Sequence, residues 1–324
     1  MSDEDGLAGI VLDFEKGAKI LRLVQDAVEK RQGIFKNGLK GFLPQWNLPR
    51  DLEHNPQQRH TKDAERAAKL LFTKNFADRL QNSDFLMRCV TDAWESEDRR
   101  WIFFPEEVVK RPVSEIDSAV KSNFYLVSNK IELSPGQRYL NNARVLLDKY
   151  QGDPRNLIQG KTVAQAREAI MALEGFGTGL ANLYIIESYG REIAVPDDPE
   201  NIRFKVDRHK ARIAINTDIL SLHNGSRDKG TLHASRSVQK LEDLYLRICQ
   251  EEGLQSWEVD AALWIIGSQV CTWERYSHCL SHCPLVGVCV ANTELSHENG
   301  HFLVYKGGVR QDSRVKNGQM NLKF

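Results

Sequence analysis

The segment CTWERYSHCLSHCPLVGVC, from Cys271 to Cys289, holds four of the chain's six cysteines. Their spacing is C-x7-C-x3-C-x5-C, contributed by Cys271, Cys279, Cys283 and Cys289. Four thiolates so close together suit a [4Fe–4S] cluster or a tetrahedral zinc ion. His278 and His282 are substitute ligands, and disulfide pairing is the third arrangement open to them. A second group of reactive types stands upstream. FKVDRHKARIAI places Asp207, His209 and Arg212 ahead of an apolar run. Aspartate starts helices well, so an N-cap is one role for Asp207. A third group is the glycine set Gly175, Gly177 and Gly179 in ALEGFGTGLANLYIIESYG. A helix beginning near Thr178 would leave free N–H groups at its positive end, which is an anion site suited to phosphate. A plain pair of antiparallel helices with a glycine C-cap is the alternative reading.

The elements that must position these groups are mostly helical. Val238, Leu241, Leu244, Tyr245 and Ile248 recur at helical spacing, as do Tyr139, Ala143, Leu146, Leu147 and Tyr150. Val163, Ala166, Ile170 and Leu173 form a third stripe, with Gly175 following as a stop signal. Alternating patterns are scarce, and only REIAV and HFLVYK suggest short strands. Proline-rich or polar linkers fall at 42–60, 195–205 and 224–233. From Tyr305 onward Lys306, Arg310, Arg314, Lys316 and Lys323 face one acid, Asp312. That tail is either a solvated terminus or a phosphate-contacting arm.

The 324 residues allow one large domain or two modest ones, with 41% hydrophobic and 27% charged residues as in ordinary globular proteins. The formal net charge is zero, so any nucleic-acid binding must rest on local patches. The longest apolar runs, such as AALWII, are far too short to cross a bilayer. The opening MSDEDGLAG is acidic and has no apolar core of a secretory signal. An intracellular, reducing compartment and no membrane partner are therefore expected, which disfavours disulfides. Cys249 falls on an amphipathic helix and reads as a small core residue.

The glycine hairpin, the V-D-x-H-x-x-R-I segment and the cysteines occur in one order in one chain. Together they resemble the helix-hairpin-helix DNA glycosylase superfamily, and within it the endonuclease III-like branch with a C-terminal iron–sulfur loop. The likeness covers roughly residues 70 to 290. FLMRCVTDAW, ending near Thr91 and Asp92, resembles the family's early helix, and YLNNARVLLDKYQGDP the helix before the hairpin. The resemblance implies an all-α protein of two helical domains with a DNA-binding cleft between them. It implies a monomer acting on double-stranded DNA, and excision of a damaged or modified base flipped from the stack. Asp207 matches the catalytic aspartate, which stabilises an oxocarbenium-like sugar and activates water. His209 and Arg212 read as structural. Gly175, Gly177, Thr178 and Gly179 would hold phosphate through main-chain N–H groups, and Arg275 and His278 would reach another phosphate. Arg88, Cys89 and Thr91 are candidates for the base pocket or the wedge. Cys271, Cys279, Cys283 and Cys289 would hold the [4Fe–4S] cluster, with zinc as the alternative.

Three departures from the family stand out. Bifunctional members carry a nucleophilic lysine in the hairpin, but Gly179 occupies that position here. A monofunctional, water-using enzyme follows. The alternatives are a lyase with a displaced lysine, Lys161 or Lys205, and a DNA-binding protein that has lost catalysis. The gap between hairpin and Asp207 is also longer, which brings Asp197 and Asp198 into play as weaker candidates. The first two cysteine gaps each exceed the family's by one residue. The expected organisation is an N-terminal extension over 1–74, a helical barrel over 75–200, a cluster domain over 201–292 and a basic tail over 293–324.

Overall fold

The structure is a computed structural model that describes residues 10–39, 62–78, 83–124, 133–222, 234–271, 280–289, 302–305 and 309–312. In chain order the α-helices are α1 (Phe14–Glu29), α2 (Lys62–Ala77), α3 (Ser83–Glu95), α4 (Pro105–Val108), α5 (Val113–Phe124), α6 (Pro135–Tyr150), α7 (Val163–Met171), α8 (Thr178–Gly190), α9 (Arg208–Asn216), α10 (Ala234–Glu252) and α11 (Ser256–Ile265). Helix α11 runs on into a π-helical turn, Ile266–Val270. The chain is all-α in class. Its strands among the described residues form two antiparallel pairs, β1 (Ile10–Leu12) with β2 (Leu220–Leu222) and β3 (Phe302–Tyr305) with β4 (Val309–Asp312). Of the two strands expected from sequence, HFLVYK supplies β3, but REIAV does not form one. Residues 191–195 instead leave α8 through a turn that buries Ile193 and Ala194. Burial, not sheet pairing, is what their apolar side chains satisfy.

The described residues fall into two compact units, one within 1–42 and 203–324 and one within 43–202. Helix α2 belongs to the second, whereas the expected boundary ran at 74. Its apolar face explains the placement. Ala67, Ala68, Leu71 and Phe72 are buried, and Phe72 stacks on Phe176 of the hairpin turn at 5.3 Å between ring centroids. Phe76 meets Tyr139 of α6 edge-on at 4.9 Å. Each such fully buried side chain contributes about 1.5–3 kcal/mol.

The second unit also buries a charge cluster. Lys74 Nζ on α2 lies 2.7 Å from Glu187 Oε1 on α8, and Asn75 Nδ2 donates to Glu187 Oε2 at 2.7 Å. Asp78 adds a second carboxylate at 3.7 Å from Lys74. Burial pushes the Lys74 ammonium toward losing its proton, but Glu187 and Asp78 outweigh it and hold the group above the ordinary lysine range. The cluster ties the second hairpin helix to the wall of the unit.

The first unit is built on α1, α9, α10 and α11. Asp13 caps α1 by accepting the Lys16 N–H at 2.9 Å, and Ile20, Leu21, Val24 and Val28 form its buried stripe. Leu241, Tyr245, Ile248 and Cys249 form the buried face of α10. Cys249 is a core residue as expected, its thiol pushed up to about 12 by burial first and Asp260 second.

Candidate DNA-binding and base-excision site

The glycine segment is a helical hairpin with the boundaries its sequence suggests. Thr162 and Gln165 cap α7 reciprocally. Gly175 turns the chain at φ 84°, a left-handed conformation in which a side chain would be strained. Asn142, buried on α6, grips the turn from below: its Nδ2 donates to the Glu174 carbonyl at 2.9 Å and its Oδ1 accepts the Glu174 N–H at 2.7 Å. Gly177 is the N-cap of α8, which begins at Thr178 and has no side-chain cap. Gly177 and Thr178 are exposed, and a Cβ added at Gly177 or Gly179 would meet nothing within 4 Å. Helix α8 thus begins at exposed residues and without a side-chain cap, as an anion site requires.

The loop after α8 has a structural role at the other end of the hairpin. Asp198 Oδ1 accepts the Val163 N–H at 2.5 Å and its Oδ2 accepts from Asn201 Nδ2 at 3.0 Å. The Asp197 N–H donates to the Lys161 carbonyl at 2.9 Å. Both oxygens of Asp198 are therefore occupied in holding the loop on α7. Lys161 is likewise engaged, donating to the Asn156 carbonyl and lying over the Tyr150 ring.

Asp207 is the N-cap of α9. Its Oδ1 accepts the N–H of His209 at 2.9 Å and of Lys210 at 3.2 Å. Among the described residues its Oδ2 accepts no hydrogen bond. Burial pushes the carboxyl up, but Lys210, His209, Lys205 and the Lys210 N–H outweigh it and hold the group below the usual aspartate range. It is a carboxylate kept ionised, with one oxygen tied to the helix and one left over. His209 and Arg212 both turn to the Gly267 carbonyl in the π-helical turn, His209 Nδ1 at 3.1 Å and Arg212 through its guanidinium. The turn comes so near that a Cβ on Gly267 would stand 2.6 Å from His209 Cβ. These two side chains hold α9 in place, which is the role their sequence position suggests.

Cys271 and Cys289 meet on the last residue of α9. Asn216 Nδ2 donates to Cys271 Sγ at 3.6 Å, and Cys289 Sγ donates to the Asn216 carbonyl at 3.3 Å. Cys283 is buried, 8% exposed. Cys279, Arg275 and His278 lie outside the described residues. Among the described residues no three His, Cys, Asp or Glu side chains are gathered closely enough to hold a metal ion. The donor set itself, thiols alone, is of the kind that takes iron–sulfur or zinc, and Asn216 brings two of its members to one place.

On α3, Arg88 is exposed and Cys89 and Thr91 are partly exposed. Burial first, then Asp92, raises the Cys89 thiol above its ordinary value, with Arg88 opposing, so it is a neutral side chain and not a ready nucleophile.

Sequence reasoning missed Asn142, Lys210, Asn216 and Asp260. Lys210, 1% exposed, pairs with Asp260 of α11 at 3.2 Å; Asp260 opens an apolar run, whereas Lys210 stands among charged neighbours. A charge beside an apolar stretch was the available signal for Asp260, and Lys210 carried none.

The arrangement defines a class of fold: a glycine hairpin in one helical unit, and a capped aspartate with C-terminal cysteines in another. The fold is that of solved endonuclease III structures. Among solved structures, the chain is similar to a non-covalent endonuclease III–DNA complex, at TM-score 0.50 and 15% identity over 88% of this chain and 98% of that one. It is similar to a trapped endonuclease III–DNA covalent intermediate at TM-score 0.50 and 16% identity, over 88% and 99%. The 8-oxoguanine DNA glycosylase of Thermotoga maritima matches at TM-score 0.45 and 11% identity, over 77% of this chain and 96% of that one, too loosely to bear on the argument. No protein-family model and no curated protein matches the sequence.

Proposed function

We propose that the chain is a monofunctional DNA glycosylase that removes a damaged or modified base from double-stranded DNA as a monomer. The observation that carries the reading is Asp207: an ionised carboxylate with a spare oxygen, at the start of α9, in a chain with the endonuclease III fold. As an N-glycosidic bond breaks, positive charge grows on the sugar, and a nearby fixed carboxylate stabilises it and orients the attacking water. The Asp207 Oδ2 does this work while Oδ1 keeps the group rigid. The open N–H groups at Gly177, Thr178 and Gly179 hold a backbone phosphate, and Arg275 and His278 reach a second one. Arg88, Cys89 and Thr91 fill the gap left by the flipped base or line its pocket.

Water is the nucleophile in this reading. The trapped covalent complex belongs to endonuclease III. Here Gly179 stands where bifunctional relatives carry a lysine, and Lys161 is committed to the Asn156 carbonyl. Cys271, Cys279, Cys283 and Cys289 would hold a [4Fe–4S] cluster, which would brace the loop that carries Arg275 and His278.

The test is a panel of duplexes, each with a different damaged or modified base, given to the wild type and Asp207→Asn. Base release without strand cleavage is expected, and Asp207→Asn abolishes it. Release that survives Asp207→Asn, or a covalent adduct trapped by borohydride, overturns the reading. Intact DNA binding with no release from any duplex would mark a binding protein on the same scaffold. Iron content and visible absorbance of anaerobically purified protein decide the cluster, and a colourless protein with stoichiometric zinc would exclude iron–sulfur.

A further inference from the structure

Beside Asp207 lies a buried ion pair that the glycosidic chemistry itself does not call for. Lys210 Nζ is 3.2 Å from Asp260 Oδ2 and donates to the Lys205 carbonyl at 2.9 Å. Asp260 Oδ1 accepts the Lys205 N–H at 2.9 Å. The pair therefore grips both main-chain polar groups of Lys205, two residues before Asp207. The Lys210 main chain is at the same time one of the two donors to Asp207 Oδ1. Lys210 is 1% exposed and Asp260 3%, so neither charge is screened by solvent.

We propose that Lys210 and Asp260 are positioning residues for Asp207: they clamp the segment that delivers it and set a fixed positive charge against its carboxylate. The proposal rests on the reading of Asp207 as the functional carboxylate.

A buried ion pair is a costly way to hold a loop, because both charges must be desolvated. An uncharged polar pair could satisfy the same two main-chain groups of Lys205. The charge has a use only if something nearby needs it, and Asp207 does. Two carboxylates here feel one buried ammonium, Asp260 in direct contact and Asp207 through space, and they are not equivalent. Asp207 has two helix N–H groups as well as Lys210, His209 and Lys205. Among the described residues Asp260, on α11, has Lys210 and a single N–H, with Tyr245 and Cys249 of α10 near it as neutral groups, and it faces Asp207 as a like charge. Burial and Asp207 push Asp260 up, whereas Asp207 is held down. When the group of three takes up a proton, Asp260 receives it first, and Asp207 stays charged. Arg212 does not take part, since its guanidinium is on the Gly267 carbonyl.

The test is carbon-13 NMR of the full chain labelled at aspartate side-chain carboxyls, with Asp207→Asn and Asp260→Asn assigning the two resonances. Asp207 is expected to titrate below Asp260. Lys210→Met is expected to raise the Asp207 midpoint by about one pH unit or more, the size of effect an adjacent opposite charge has. Lys210→Arg keeps the charge and leaves the midpoint low, which a purely structural role would not predict. Equal shifts in the Met and Arg variants overturn the proposal. An Asp207 that titrates with ordinary aspartates in the wild type also overturns it, and that measurement stands even if Lys210→Met does not fold. The titration needs no substrate. Base release that persists in Asp207→Asn, with the titration as expected, would remove the proposed activity and leave the clamp standing.

Discussion

Replacing Asp207 by alanine and by asparagine separates its two tasks. Oδ1 satisfies two N–H groups in the first turn of α9, at 2.9 and 3.2 Å. Alanine leaves both without a partner, which costs about 1 kcal/mol and at most ~2. Helix α9 has only nine residues, too few to stand without tertiary support, so the loss is felt across its docking surface. In a unit of this size ~1 kcal/mol corresponds to a drop in Tm of about 2–4 °C. Asparagine keeps an acceptor oxygen at the N-cap and should melt within about 0.5 kcal/mol of the wild type. Both variants lose the ionised carboxylate, so on the proposed function both should lose base release. The assay is thermal and urea unfolding at neutral pH, in parallel with base release from the duplex panel. The sign with pH also follows. Asp207 has its folded value below its unfolded one, so its contribution is full above the ordinary aspartate range and fades as pH falls through the folded value. The gap between wild type and alanine variant should therefore persist through mildly acid pH and close only in strong acid. Alanine and asparagine variants of equal stability would refute the capping argument.

Gly267→Ala puts a methyl 2.6 Å from His209 Cβ and 3.1 Å from the His209 carbonyl carbon, and should cost about 1–3 kcal/mol in urea unfolding. Gly179→Ala, whose Cβ meets nothing, should leave stability unchanged or slightly raised while weakening DNA binding in a titration. Lys74→Met strands Glu187 without its cation and should cost about 3–5 kcal/mol, whereas the wild type should lose this pair's contribution only at alkaline pH, as the raised Lys74 value is passed.

The hairpin, the start of α8 and the cap at Asp207 were legible because each depends on local chemistry. Glycine at a left-handed turn, an acidic N-cap and a stripe at helical spacing are written in neighbouring residues. What supports them was not. Asn142 reaches Glu174 across 32 positions, and Lys210 reaches Asp260 across 50. Nothing local distinguishes a buried charge from a solvated one except apolar company, as at Glu187 and Asp260, and Lys210, among Asp207, Arg208, His209 and Arg212, lacks even that. The π-helical turn was also hidden, since its reason is the close approach of Gly267 to α9. The weaker candidate Asp198 shows the reverse case. An acidic loop residue looked available for chemistry, and tertiary structure uses both its oxygens to fasten the loop.

Helix α9 carries Asp207 at its first end and Asn216, the meeting point of Cys271 and Cys289, at its last. The number of residues between them sets the angle at which the two ends face. One residue inserted into α9 would turn the far end by about 100°, carrying the Asn216 amide away from Cys271 while leaving the cap at Asp207 intact. Length is therefore fixed here in a way it is not in the loop over 195–205. A library of single insertions should find α9 among the least tolerant stretches of the chain, and for a reason that no single side chain in it would reveal.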